Sequence, residues 1–161
     1  MSGSEKKLID TLVGDVYDLV VEEPSRIKKD GQIKDVIEMM LQNPVSRKVY
    51  VVDDDGKLVG MVNTETVLRL IGYRVGVWEL GVMSFYRFMR DMFKEEVSTL
   101  FSPTRSVTRE TKLTEALSIM VQDHVNDLPV VDPDGILIGE LVSLEMFLKG
   151  KDLFGREDAE R

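Results

Sequence analysis

Cysteine is missing from this 161-residue chain, and histidine and tryptophan occur once each. The first absence excludes disulfides, thiolate metal sites and cysteine nucleophiles. The single histidine, His124, has no Cys or His companion with which to share a metal, and it reads as a loop residue. The chain has no G-x-S-x-G motif and no P-loop glycine-lysine motif. Its paired carboxylates fall in turns and on exposed helix faces. No catalytic residue and no metal ligand are therefore assigned, and the expectation is a protein that is not an enzyme. No apolar run approaches the ~18 residues that span a bilayer, and the opening MSGSEKKL lacks the basic start and apolar stretch of a secretory signal. The formal net charge of -8 opposes broad binding to nucleic acid. A cytoplasmic protein with no membrane or nucleic-acid partner is expected.

What is present is a repetition. VYVVDDDGKLVG at 49–60 returns as LPVVDPDGILIG at 128–139. Upstream, GQIKDVIEMMLQ (31–42) matches TKLTEALSIMVQ (111–122), and downstream GMVNTETVLRLI from Gly60 matches GELVSLEMFLKG from Gly139. Repeats of this length define the architecture. Ile33, Val36, Ile37 and Met40 recur at helical spacing, as do Leu113, Ala116, Leu117 and Met120. Asp30-Gly31 precedes the first of these helices, and Thr111 or Thr114 can cap the second. VYVV and LPVV read as buried strands. DDDG and DPDG are turn signals, since Gly supplies a positive φ and Asp bonds its own backbone. DDDG also hints at calcium, but Val51 breaks the alternation of acids that an EF-hand loop needs, so an ordinary turn is the reading. A second strand and a last helix close each copy. With a short strand in SRIKK and in RSVTR, each copy is β-α-β-β-α. Such a unit is too small to bury much surface alone, so the fold class expected is α/β (α+β), two units packed about a pseudo-twofold axis.

The stretch between the copies is expected to stand apart. GYRVGVWELGVMSFYRFMRDMFKEE (72–96) has no counterpart in the repeated sequence. From Val77, the residues Trp78, Met83, Phe85, Tyr86, Phe88, Met89, Met92 and Phe93 crowd an amphipathic helix with a wide apolar side. It either packs on its own module or forms an interface, because Met and aromatic side chains suit adaptable contacts. The resulting boundaries are a polar lead at 1–12, unit 1 at 13–71, the inserted helix and linker at 72–96, unit 2 at 97–150, and a charged tail at 151–161.

Both copies resemble the CBS domain, and the pair resembles a tandem CBS (Bateman) module. The features that carry the resemblance are the PVVDxDG-like hairpin, the Met-ended helix before it, and the leads VGDVY (13–17) and VSTLF (97–101). The resemblance implies a regulatory module that binds an adenine nucleotide, AMP, ADP or ATP, in a cleft between its units, with no required cofactor. It also implies a homodimer that signals to a separate, unidentified protein. The family pattern G-h-x-[ST]-x-x-D falls on Gly60, Asn63 and Thr66 in the first copy, and on Gly139, Val142 and Glu145 in the second. A carboxylate there can accept two hydrogen bonds from a ribose diol, and a helix start favours phosphate. Thr66 loses the acid, whereas Glu145 keeps it, and Ser143 can stand in for the hydroxyl missing at Val142. The cleft of Glu145 is thus the expected site, lined by Pro24, Ser25, Arg26 and Ile27. Arg47 and Lys48 are its phosphate cations, and Asn126 and Asp127 are their equivalents in the second copy. A weaker second cleft would use Thr104, Arg105 and Ser106 with Asn63 and Thr66. The competing reading is a structural homodimerisation module with degenerate clefts, Arg47 and Lys48 being solvated charges and Glu145 an exposed acid on its helix dipole.

Overall fold

The computed structural model describes residues 3–74 and 81–159. In chain order the elements are α1 (Gly3–Asp10), β1 (Arg26–Lys28), α2 (Ile33–Gln42), β2 (Lys48–Val52), β3 (Leu58–Asn63), α3 (Thr64–Arg74), α4 (Val82–Phe93), α5 (Leu113–Asp123), β4 (Asp127–Val131), β5 (Leu137–Val142) and α6 (Ser143–Ala159). Single 3-10 turns at Val13–Asp15 and Val97–Thr99 follow α1 and α4. The expected mixture of helices and short strands, in duplicate, is present. Val77 and Trp78, counted in the expected inserted helix, lie outside the described residues.

Contacts divide the chain into Ser25–Thr104 and a second unit made of Met1–Pro24 with Arg105–Arg161. Each repeat's core is therefore grouped with the lead segment that the sequence attaches to the other repeat. Two glycines give a physical reason. A Cβ on Gly139 would run into the ring of Tyr17, and one on Gly60 would meet Phe101 at 2.5 Å and the Ser102 carbonyl at 2.6 Å. Each lead sets an aromatic ring against a hairpin strand, where only glycine leaves room.

In the unit 25–104, β1 runs parallel to β2, and β2 pairs antiparallel with β3. Alternation along the strands sends Val49, Val51 and Val62 into a core with Ile33, Val36 and Met40. In the other unit, Leu128, Val130 and Leu141 meet Leu113, Ala116, Met120 and the lead residues Val13 and Val16. Each of these Val, Leu, Ile and Met side chains, taken fully from water, contributes about 1.5–3 kcal/mol. The second copy's first strand is shorter than expected. It reduces to one parallel bridge at Val107, whose N–H reaches the Pro129 carbonyl and whose carbonyl accepts from Val131. Beyond it Thr111 Oγ1 accepts the Thr108 N–H at 3.0 Å and turns the chain away.

That bond also corrects the capping expectation. Neither Thr111 nor Thr114 caps α5, whose N-cap is Lys112, and α2 begins at Gln32 without a side-chain cap. Main chain does the work instead, since Ile33 N–H donates to the Glu95 carbonyl and Leu113 N–H to the Thr11 carbonyl. Glu95 follows α4 and Thr11 follows α1, so these two helices occupy matching places. The inserted helix has a counterpart after all. α1 is its shorter equivalent, hidden from a sequence reading because the two share almost no residues. At the far end of α5, His124 adopts a left-handed conformation (φ 54°) and ends the helix.

The turns are of the expected kind. Asp53 Oδ1 accepts the N–H groups of Asp55 and Lys57, both at 2.9 Å, and Asp132 Oδ1 does the same for Asp134 and Ile136. Gly56 and Gly135 carry φ near +80° in these turns.

Candidate functional site

The strand directions gather the expected site residues into two sets, one in each unit. In the unit 25–104, β1 and β2 start at the same end, where β3 finishes and α3 begins. Arg26 sits opposite Tyr50, Lys48 opposite Asn63, and the Ser25 carbonyl accepts the Tyr50 N–H at 2.8 Å. Ser25, Arg26, Ile27, Arg47, Lys48, Asn63 and Thr66 are thereby neighbours at one sheet edge. Arg47 is exposed and takes a positive φ of 52°, while Lys48 is buried. In the other unit, Asp127 lies opposite Val142, and the Asn126 carbonyl accepts the Ser143 N–H at 2.8 Å. Arg105, Ser106, Asn126, Asp127, Val142, Ser143 and Glu145 form the second set, with Asp127 buried. Pro24, buried, belongs to this second unit, and Thr104 to the first.

The two helix starts are closed differently. At α3 the N-cap Asn63 accepts the Thr66 N–H on Oδ1 at 2.8 Å, and the Thr66 hydroxyl donates to the same oxygen at 2.7 Å. The Asn63 N–H points back to Thr66 Oγ1 at 3.5 Å. This is a capping box built from Asn and Thr. At α6 the N-cap is Val142, which has no polar side chain. Glu145, three residues on, makes the other half of the box, its Oε1 accepting the Val142 N–H at 2.9 Å. Its Oε2 accepts the N–H of Leu19 at 2.8 Å and of Val20 at 3.3 Å.

Glu145 is therefore a different object from an exposed acid resting on its helix dipole. It is 0 % exposed, and its carboxylate clamps the backbone just after the first lead to the start of the last helix. Burial pushes its pKa up from 4.5 to about 7. The three N–H bonds pull the other way, and nearby Glu140 adds to the rise. The V-S-L-E order at 142–145 carries a readable signal for the Val142 bond, an acid three residues after a helix cap. The Leu19 and Val20 partners carry none, because main-chain N–H groups leave no mark on a sequence.

The fold and the duplicated hairpins identify the class. The CBS domain family model matches residues 13–73 and 96–148, and the chain belongs to that family. Among solved structures it is similar to a CBS domain-containing protein from Thermotoga maritima, with a TM-score of 0.68 and 29 % identity over 86 % of this chain and 93 % of that one. It is also similar in fold to CBSX2, a structure determined in complex with AMP, with a TM-score of 0.64 and 23 % identity over 94 % and 99 % of the two chains. Among proteins compared by sequence, it is 25 % identical over 138 residues to protein MJ1426 of Methanocaldococcus jannaschii, covering 74 % of this chain and 82 % of that protein. Among the described residues, no helix is long and apolar enough to cross a membrane.

Proposed function

We propose that the protein is a non-catalytic regulatory module that binds an adenosine-type ligand (AMP, ADP or ATP) and acts as a cytoplasmic homodimer on a separate protein. Family membership carries the proposal, and the AMP bound by the fold relative CBSX2 supports the ligand class. The chemistry of the two sets is compatible with it. The main chain of Ser25–Ile27 offers backbone groups to a purine edge, Arg47 and Lys48 offer cations to phosphate, and Asn63 and Thr66 offer oxygens to a sugar. In the second set, Glu145 is a ribose acceptor of greater strength, flanked by Ser143 and Asn126. A diol donating to Glu145 Oε2 must displace the Leu19 and Val20 N–H groups. Occupancy would then release the segment that follows the first lead, giving the ligand a difference between two states to act on.

The filled state of these groups favours one rival. Glu145 already accepts three N–H bonds, and Asn63 and Thr66 already satisfy each other, as in a purely structural module. Calorimetry and thermal unfolding on protein stripped of bound small molecules, with adenosine, AMP, ADP, ATP and GMP, separate the two. An adenine ligand at about 100 times its dissociation constant adds about 2.7 kcal/mol of stability. Silence across all adenine compounds leaves the structural reading standing.

A further inference from the structure

The helices α1 and α4 hold matching places but carry different residues. In the unit 25–104, Phe88, Met89 and Phe93 of α4 pack on the core beside Ile37 and Ile71, and Met92 is buried among them. Aligned on Val13 and Val97, the positions of Phe88 and Met89 are held by Ser4 and Glu5 in α1. Ile71 is matched by Gly150. Among the described residues, the second unit has an apolar cleft of about 150 Å³ lined by Leu8, Leu113, Leu117, Met146 and Phe147. Leu117 is 48 % and Phe147 67 % exposed. A cleft of roughly that volume accommodates a single aromatic ring.

The same chain carries exposed apolar side chains at the start of α4. The first turn of α4 holds Val82 (85 % exposed) and Met83, beside Phe85 and Tyr86 (64 %). Charge favours their meeting the cleft. The unit 25–104 has twelve Lys and Arg against eleven Asp and Glu, whereas the rest of the chain has nine against eighteen. The exposed turn leads into Arg87 and Arg90, so a basic helix faces a unit that carries all the net negative charge.

We infer that the first turn of α4 of one copy seats in the α1–α5–α6 cleft of a second copy, with Tyr86 or Phe85 filling it. This deepens the homodimer proposed above and does not depend on ligand. The contact is unlike on its two sides, which gives it a distinctive test by sedimentation or light scattering across a dilution series. Tyr86→Asp and Phe147→Asp, both at exposed positions, should each lower self-association at least tenfold. An equimolar mixture of the two variants should regain association, because the intact helix of one meets the intact cleft of the other. If the wild type associates and either variant associates equally well, this contact is wrong while the dimer stands. A mixture that regains nothing rules the contact out in the same way. A wild type that stays monomeric at every concentration overturns both. Circular dichroism of each variant, unchanged from wild type, separates lost contact from lost fold.

Discussion

The starts of α3 and α6 hold the same place in two copies of one design, yet one is closed locally and the other at long range. Asn63 and Thr66 satisfy each other within a single turn. Val142 cannot, and Glu145 takes over, reaching its own helix start and also residues 126 and 125 positions earlier in the chain. The acid three residues into α6 thus serves both the Val142 N–H and a tertiary clamp, at the cost of being buried. The lesson is that equivalent motif positions need not share a role, and substitutions at the two starts should separate accordingly.

The largest effect is expected from Glu145→Ala, which leaves the buried Val142 N–H without its acceptor and cuts the part-buried bonds to the Leu19 and Val20 N–H groups, of which Leu19 keeps the Val16 carbonyl. A loss of about 3 kcal/mol follows from the penalty for buried unpaired donors, read as a lower urea midpoint. Thr66→Ala should lose less than about 1 kcal/mol, since Asn63 still caps α3. Equal losses would erase the difference between the two starts. Next in size is Gly139→Ala, which sets a methyl against Tyr17 and should cost about 1–3 kcal/mol. Gly60→Ala should cost a similar amount, because Phe101 and the Ser102 carbonyl crowd it in the same way.

A smaller and more specific effect is the pH dependence. The folded pKa of Glu145, about 7, lies above its ordinary 4.5, so between those values the folded state holds more protons than the unfolded chain. The contribution is fully present below pH 4.5 and is lost as the pH rises through 7, a decline of about 1–3 kcal/mol. Unfolding midpoints of wild type between about pH 5 and 8 should show this slope, and Glu145→Gln should flatten it. Asn63→Ala should cost about 1 kcal/mol by the same unfolding assay, with no change in slope, which leaves Thr66→Ala as the smallest effect.

Much of this fold was legible in the sequence because its cause was local. Val49, Val51, Val62 and their partners Leu128, Val130 and Leu141 alternate as strands buried on a core must, and the Asp-Gly turns between them follow from short-range chemistry. The CBS family was readable for the same reason, since its hairpin is written twice. What was not legible depends on partners that sequence does not record. The first N–H groups of α2 and α5 bond to carbonyls at Glu95 and Thr11, which any residue could supply. The kinship of α1 and α4 was hidden because Ser4 and Glu5 stand where Phe88 and Met89 stand. The position of Glu145 was legible, and so was its acid. Its burial was not, because that depends on where residues 19 and 20 come to lie.

The most direct measurement is amide hydrogen exchange at Leu19 and Val20 in the ligand-stripped protein, with and without saturating AMP. Slow exchange in the free protein that quickens at these two amides when AMP binds is the predicted result. AMP that fails to bind, or that saturates the protein while both amides stay as protected as before, would contradict the account.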